Sequence, residues 1–505
     1  MSKNNRQNFE RVFQKLKASI GKRLEKKGYS DQPSPIMTAS NIHYELAEKT
    51  RAMAYGGIGA IHAMVKALYL DEAIDASLKL LKVHLPYHES DHVLNIAYNV
   101  LVGGVRLEDI ELRRNDESYL NALGAERIPD PTTAGDFTRR FEKRHIETLM
   151  DTINDARTQV WSKLPEGKMK EGIIDVDGTL APTLGECKEG MDISYKGIWG
   201  YHPLIITLAN TNEPLYLVNR PGNVVSHQDC APWIDKAIDL VGAHAQRVLV
   251  RGDTDFSLTE HFDRWSEKAD FVFGIDAHRS FVNRAEELKA SDWSPLERKP
   301  KYEVKTKARR KPENVKEKIV VEREFENIRL NSEEVAEFAY KPGKCKKTYR
   351  MVVVKKNITR EKGELALFDD IRYFFYVTTR HDLTAREVVE HANQRCNQEN
   401  TIEQIKNGVN AMRMPVDNLM SNWAYMVMAT LAWSLKAWLG ILSSNKELGT
   451  QIIKMEFRRF LNTFILIPCQ IVSTGRKIVY RLLGYNETLL DLFNTFERIR
   501  RLQFE

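Results

Sequence analysis

Cysteine is scarce and scattered in this chain. The five cysteines, Cys187, Cys230, Cys345, Cys396 and Cys469, form no Cys-x-x-Cys pair. That argues against a zinc site and a disulfide framework, and suits a reducing compartment. The opening residues, Met1-Ser2-Lys3-Asn4-Asn5-Arg6, hold no apolar run, so no signal peptide is expected there. No internal repeat or low-complexity tract stands out. Long uncharged stretches are rare too. One of them, Asn418 to Leu435, approaches membrane-spanning length. It contains Asn418, Ser421, Asn422, Thr430 and Ser434, and Lys436 follows at once, which predicts a buried core helix and no membrane span. Excess charge of one sign is also small. The net charge of +6 permits an acidic partner without demanding one.

What is present is an ordinary folding composition, 42% hydrophobic and 29% charged, over 505 residues. That length predicts two to four domains. Residues 1–28 are polar and basic, and from about Asn41 to Leu164 the apolar spacing is helical. Within this stretch a helix is expected over Asp116 to Leu123, and another begins in Pro131-Thr132-Thr133-Ala134-Gly135-Asp136-Phe137. Thr133 and Asp136 have capping-box spacing. Arg139, Arg140, Lys143 and Arg144 then fall on the second helix. The pair reads either as a helix-turn-helix for DNA or as an ordinary helical pair with a solvated basic face.

From Gly172 the pattern changes. Ile173–Val176, Pro203–Ala209, Pro214–Val218, Val248–Val250 and Phe271–Phe273 predict strands, and Cys230 to Ala243 a helix. The order implies a mixed α/β sheet whose first three strands form a meander. Between Asp292 and Arg380 lies a basic run that includes Lys305, Lys307, Arg309, Arg310 and Lys311. β-like segments follow at Lys318–Val321, Tyr349–Val354 and Tyr373–Thr378. The run is either a solvated loop or a phosphate-contacting edge. Glu387 to Asn410 is helical. Cys469–Val472 and Lys477–Leu482 predict a hairpin, and Glu487 to Arg501 a closing amphipathic helix.

Three acidic residues carry the chemistry. Asp177 ends Ile173-Ile174-Asp175-Val176-Asp177. Asp253 follows the apolar run of Arg247-Val248-Leu249-Val250-Arg251-Gly252. Glu399 lies in a helix with Arg395 and Lys406. On a regular helix Glu399 falls about 40° and Lys406 about 20° from Arg395, so the three share one face. Two carboxylates at strand ends plus one on a helix are what a two-metal phosphoryl-transfer site needs, and Mg²⁺ takes such hard oxygen ligands. Arg395 and Lys406 would grip phosphates beside it. The helix taken alone reads as a surface element with an ordinary ion pair.

Asp175-Val176-Asp177-Gly178-Thr179 also matches the first motif of haloacid-dehalogenase-type phosphatases, with Asp175 as nucleophile. Gly252-Asp253-Thr254-Asp255 would be their metal-binding motif, but Ser257 and Leu258 stand where a further Asp is usual. A third possibility is a non-catalytic DNA-binding protein.

Taken together, the segments resemble bacterial insertion-sequence DDE transposases with a group-1 DDE domain, of the insertion-sequence family 1380 type. The likeness rests on Asp130–Phe137, Asp175–Thr183, Gly185-Glu186-Cys187-Lys188-Glu189-Gly190, Tyr201-His202-Pro203-Leu204 and Arg251–Phe256. Its strongest part is Arg395-x3-Glu399-x6-Lys406. The family's Tyr ahead of that Arg is Ala392 here, with His391 beside it.

The resemblance implies an α/β, ribonuclease-H-like catalytic core with a β-rich insertion. A helical DNA-binding region (1–165) precedes it. The core would span 166–291 and 381–445 around the insertion (292–380), and a C-terminal hairpin and helix (446–505) would follow. It implies catalytic and metal-binding roles for Asp177, Asp253 and Glu399, with two Mg²⁺ or Mn²⁺ ions. Asp177 ranks above Asp175, and Asp253 above Asp255. The lower-ranked pair would stand behind the ligands or be merely solvated. Expected DNA contacts are Arg395, Lys406, Arg139, Arg140, Arg144, Lys305, Lys307, Arg309, Arg310 and Lys311. The partner would be double-stranded DNA, element ends and target, bound by a homodimer. No nucleotide cofactor is expected, and the location would be the bacterial cytoplasm, at the nucleoid when bound to DNA.

Overall fold

The computed structural model describes residues 3–25, 43, 50–84, 86–298, 315–362, 365–475, 477–484 and 487–502. The basic run with Lys305, Lys307, Arg309, Arg310 and Lys311 lies outside the described residues.

The helical half is built on capped helices. Asp116 accepts hydrogen bonds from the Ser118 and Tyr119 N–H groups and starts the helix Glu117–Leu123, as expected. The next helix, α1 (Pro131–Thr138), starts earlier than Thr133. Asp130 is the cap. Its carboxylate accepts from the Thr133 N–H at 2.9 Å and hydroxyl at 2.7 Å, with Pro131 in the first turn, where a missing N–H costs nothing. The expected Thr133–Asp136 box is therefore absent, and Asp136 pairs with Arg139 instead.

A second correction follows. α1 has eight residues, and Arg139 is only its C-cap. Glu142 is extended and opens α2 (Lys143–Trp161), so Arg144 belongs to a different helix. Arg139, Arg140 and Arg144 are exposed but do not share a recognition helix.

The sheet begins with β1 (Glu171–Gly178), β2 (Leu204–Leu208) and β3 (Glu213–Val218), an antiparallel meander. After α3 (Ala231–Gly242) come β4 (Arg247–Gly252) and β5 (Asp270–Ile275). β4 runs parallel to β1, and β5 parallel to β4. The order across these strands is 3-2-1-4-5. Apolar runs on both faces suit strands covered on two sides, and α3 packs on β1 to β4.

The β-rich segment that follows extends this same sheet. β6 (Glu326–Tyr340), β7 (Tyr349–Lys362) and β8 (Leu365–Thr378) are antiparallel, and β8 pairs with β5 through Phe375–Thr378. Lys318–Val321, expected as a strand, is instead inside the helix Val315–Glu322. A short apolar run is ambiguous between the two states, and the Lys318–Glu322 pair at i,i+4 favours helix. β6 escaped detection because it is heavily charged. Its Glu333 and Glu334 meet Lys356 and Lys355 of β7 at 3.3 and 3.1 Å. Cross-strand ion pairs thus stand where apolar pairs were sought.

α4 (Ala385–Gln394), α5 (Cys396–Glu403) and α6 (Leu419–Ile441) follow. α6 is the uncharged stretch, and every residue from Ser421 to Ile441 is buried. By length and composition it could cross a membrane, but here it is interior. Indole N–H groups fix it to the meander: Trp433 donates to Asn212 O at 2.7 Å and Trp438 to Glu213 Oε1 at 2.7 Å. Buried Glu213 also accepts from Arg157 at 2.9 Å and Trp161 at 3.0 Å of α2. The C-terminal hairpin forms over Cys469–Thr474 and Lys477–Leu482 and takes Ala52–Met53 as a third strand. The helix Leu489–Ile499 closes the chain as expected.

Candidate active site

β1 and β4 are parallel neighbours, with Asp175 in register with Arg251. Their C-terminal ends therefore open at one edge of the sheet, where ligands of α/β folds bind. Asp177 lies near the end of β1, and Asp253 directly follows β4. Gly178 permits a close approach beside Asp177, since a Cβ there would stand 2.9 Å from His202 Nε2. His202 itself is buried and pairs through Nδ1 with Val224 O at 2.8 Å, a structural role. Asp253 caps the short turn Thr254–Phe256, its Oδ1 accepting from the Asp255 N–H at 3.1 Å.

Arg395 joins the two carboxylates. Its Nη1 donates to Asp177 Oδ2 at 2.9 Å, and its Nη2 stands 3.9 Å from Asp253 Oδ2. Burial raises the Asp177 carboxyl to a pKa of about 6; Asp253 adds to the rise and Arg395 opposes it. Asp253 is raised as well, by burial first, with Arg395 opposing and the Asp255 and Asp276 charges adding. Two part-buried carboxylates, both raised by burial and one raised further by the other, form a place where a cation is wanted.

The expected single helix from Glu387 to Asn410 is broken. α4 ends at Gln394, α5 restarts at Cys396, and Gln404–Gly408 forms a wider π-type turn. Such turns often mark functional sites. Lys406 is half-buried, its pKa lowered by burial, and it feels Asp177, Glu403 and Lys196. Arg395 contacts Asp177, and Lys406 feels its charge, but the single face expected for Arg395, Glu399 and Lys406 does not form, because the helix breaks at Arg395 and widens at Gln404–Gly408. Glu399 is exposed and is not gathered with the two aspartates. Among the described residues no three Asp, Glu, His or Cys side chains come close enough to hold one ion. The guanidinium of Arg395 occupies the gap between Asp177 and Asp253. Those two carboxylates are the hard oxygen donors a divalent cation takes, and Glu399 lies on α5, just past the break at Arg395.

Asp175 is not solvated. It is 1% exposed and takes a bidentate pair from Arg251, Nε to Oδ1 at 2.6 Å and Nη2 to Oδ2 at 2.8 Å. With both oxygens engaged it is sealed from the role of phosphatase nucleophile. Asp255 is exposed. Arg139 binds Asp136 at 2.7 Å and Asp417 at 3.1 Å, and Arg144 binds Glu142 at 3.0 Å.

Three neighbours of the site were missed. In the sequence Arg251 stands in a strand flank and in the family-like segment Arg251–Phe256 with no role of its own, and Gln398 carries none either. Asp276 follows the apolar run Phe271–Ile275 as Asp253 follows its own run, a signal that was legible.

A family model described as transposase DDE domain, group 1, matches residues 50–504. The chain belongs to this family. DDE transposases cut and transfer DNA strands and generally use divalent metal ions. No curated protein matches the chain. Among solved structures it is similar to a cryo-EM structure of a piggyBac transposase synaptic complex with hairpin DNA. The identity is 10% and the TM-score 0.34, and 82% of each chain is covered.

Proposed function

We propose that this transposase binds the terminal inverted repeats of a mobile element, cuts the 3′ strand with water, and joins the freed 3′-hydroxyl to target DNA. Both steps are in-line displacements at phosphorus, so one site serves both, without a covalent protein intermediate. The observation that carries the reading is the convergence of Asp177 and Asp253 on Arg395, from the helix region that also holds Glu399.

In this reading Asp177, Asp253 and Glu399 would hold two Mg²⁺ or Mn²⁺ ions, which when bound would supply activation of the attacking oxygen and charge stabilisation of the leaving one. Arg395 releases the aspartates and takes a phosphate, and Lys406 stands beside it as a second cation. The Asp255 N–H holds Asp253 Oδ1 and leaves Oδ2 on the side of Arg395. The segment 166–291 with 381–445 acts as a ribonuclease-H-like core, 292–380 as the insertion, and 446–505 as the closing hairpin and helix. Residues 1–165 read the element ends, with Arg139, Arg140 and Arg144 at the surface. Lys305, Lys307, Arg309, Arg310 and Lys311 track the backbone. The active form is a homodimer on DNA, of the insertion-sequence family 1380 type, working in the bacterial cytoplasm on nucleoid DNA without a nucleotide cofactor.

The test is cleavage of a duplex carrying the repeats that flank the reading frame, with Mg²⁺ or Mn²⁺ against chelator. Specific nicking at the repeat boundary is expected only with metal. Metal-independent nicking, or none with either ion on authentic ends, would overturn the proposal.

A further inference from the structure

Each candidate ligand residue has a buried neighbour in sequence, and those neighbours bond to one another. Asp175 lies two residues before Asp177 on β1, Arg251 two before Asp253 at the end of β4, and Gln398 one before Glu399 on α5. Their exposures are 1%, 2% and 2%. Arg251 grips both oxygens of Asp175. Gln398 Nε2 donates to the Asp175 carbonyl at 2.9 Å and to the Ile205 carbonyl at 3.2 Å. Ile205 is the register partner of Asp177 across β1 and β2. The third guanidinium nitrogen, Nη1, donates to the His391 carbonyl at 3.0 Å, in the last turn of α4.

We infer that Asp175, Arg251 and Gln398 are positioning residues: the first two set the spacing of Asp177 and Asp253, and Gln398 seats the helix that bears Glu399. The inference rests on taking those three carboxylates as the metal ligands. Side chains at i and i+2 of a strand share a face, so fixing Asp175 fixes the pleat that aims Asp177. A guanidinium fork sets both distance and plane between two strands, as a lysine ammonium does not. It therefore holds the end of β4, and Asp253 beyond it, against β1. Apolar contact is non-directional and leaves a helix free to slide on a sheet. Two N–H···O bonds from one amide are directional and hold α5 at one height above Asp175. Metal sites tolerate errors of only about 0.5 Å. A fork that ties the two aspartate-bearing strands together meets that demand more directly than the separate packing of each.

The experiment uses the full chain with end DNA. Gln398→Met keeps length and bulk but removes both amide bonds. Arg251→Lys keeps the charge but loses the fork. Four quantities are read: Mn²⁺ binding by electron paramagnetic resonance in the DNA complex, cleavage rate at saturating DNA, Kd for end DNA, and melting temperature. Gln398→Met is expected to raise the half-saturating Mn²⁺ about tenfold and to slow cleavage roughly 10–100-fold. End binding should stay within about twofold, and the protein should remain folded well above the assay temperature. Arg251→Lys should move in the same direction. Asp177→Asn is the control on the ligand assignment, and normal cleavage by it sinks that assignment and this inference together. If Asp177→Asn is inactive while Gln398→Met and Arg251→Lys bind Mn²⁺ and cleave within twofold of the parent, the assignment stands and the positioning role is overturned. A rate loss that tracks a lower melting temperature with unchanged Mn²⁺ half-saturation also overturns it, because the network would then support only the fold.

Discussion

Asp175 and Asp177 lie two residues apart on one strand, and each is paired with an arginine, but the two pairs are opposites. The Asp175–Arg251 pair is sealed, bidentate, and nearly without exposure. The Asp177–Arg395 pair rests on a single short contact at 2.9 Å, with side chains 18% and 16% exposed. Its arginine is shared with Asp253, which is 38% exposed. A sealed fork is costly to open, because either partner left alone is a buried charge. A single open contact can be exchanged for another anion or another cation. The same two residue types thus serve as a fastening in one place and as an exchangeable site in the other, and the difference is burial and geometry.

The largest expected effect lies at the open pair. Asp177→Asn, Asp253→Asn and Glu399→Gln should each lower cleavage by at least about 10³-fold, as losing a charge-stabilising group at such a centre does. End binding in a gel shift should be largely kept. Near-normal cleavage by any one variant removes that residue from the site. Glu399 is the sharpest case, because it stands exposed and apart from the aspartates.

At the sealed pair the loss should appear in stability. Asp175→Asn or Arg251→Ala should cost about 3–5 kcal/mol of folding free energy by denaturant titration, the usual result of orphaning a buried charge. Sequence spacing left Asp175 either behind the ligands or merely solvated. Its burial excludes the solvated reading, and a loss under about 1 kcal/mol would mean the pair is not sealed in solution.

The five strands of β1 to β5, α3, the core helix α6 and the final hairpin were legible because apolar runs and turn residues mark them directly. The pairing of Asp177 with Asp253 was legible because each follows an apolar strand. Helical period placed Arg395, Glu399 and Lys406 on one face, but the break at Arg395 and the wide turn at Gln404–Gly408 undo that regular period and leave Glu399 apart. What remained hidden depends on partners distant in sequence. Asp175 and Arg251 are 76 residues apart, and nothing local distinguishes a sealed aspartate from an open one. β6 was hidden because its charges are satisfied by β7, and α1 was mis-started because Asp130-Pro131 was passed over for Thr133.

Sealing also governs protonation in the helical half. His92 is buried, stacks on Phe137 at 4.2 Å, and has its pKa lowered to about 4 by burial. The Glu89 charge opposes that shift and Arg140 adds to it. The folded state therefore holds its proton less tightly than the unfolded state. The stability is fully present above the unfolded value near 6.5 and is lost as pH falls towards 4, by up to about 3 kcal/mol. His92→Phe should flatten that slope in denaturant titrations between pH 4 and 7. An unchanged slope would place the acid sensitivity elsewhere.

At the open pair, exchange should be visible in salt. Arg395→Ala and Lys406→Ala should each reduce the slope of log K against log salt for DNA binding by about one, the signature of one lost phosphate contact. Both should also slow cleavage. Unchanged slopes in both variants would mean that Arg395 keeps its aspartates when DNA binds, and that the contrast between the two pairs is one of burial only.

The smallest effect is expected at a third kind of pair, wholly at the surface. Arg139 bridges Asp136 and Asp417, with its side chain 43% exposed and the aspartates 62% and 66%. Exposed pairs contribute between nothing and about 1 kcal/mol, since solvent screens them and long side chains lose freedom in making them. Arg139→Ala should therefore leave the melting temperature nearly unchanged. That quietness makes the position informative about DNA. If Arg139 reads the element end, the variant should lose preference for repeat over scrambled duplex in a gel shift at fixed salt, with no stability change to confuse the result. Equal weakening on both duplexes would make it a phosphate contact. No change on either would leave it a surface ion pair joining the end of α1 to the start of α6.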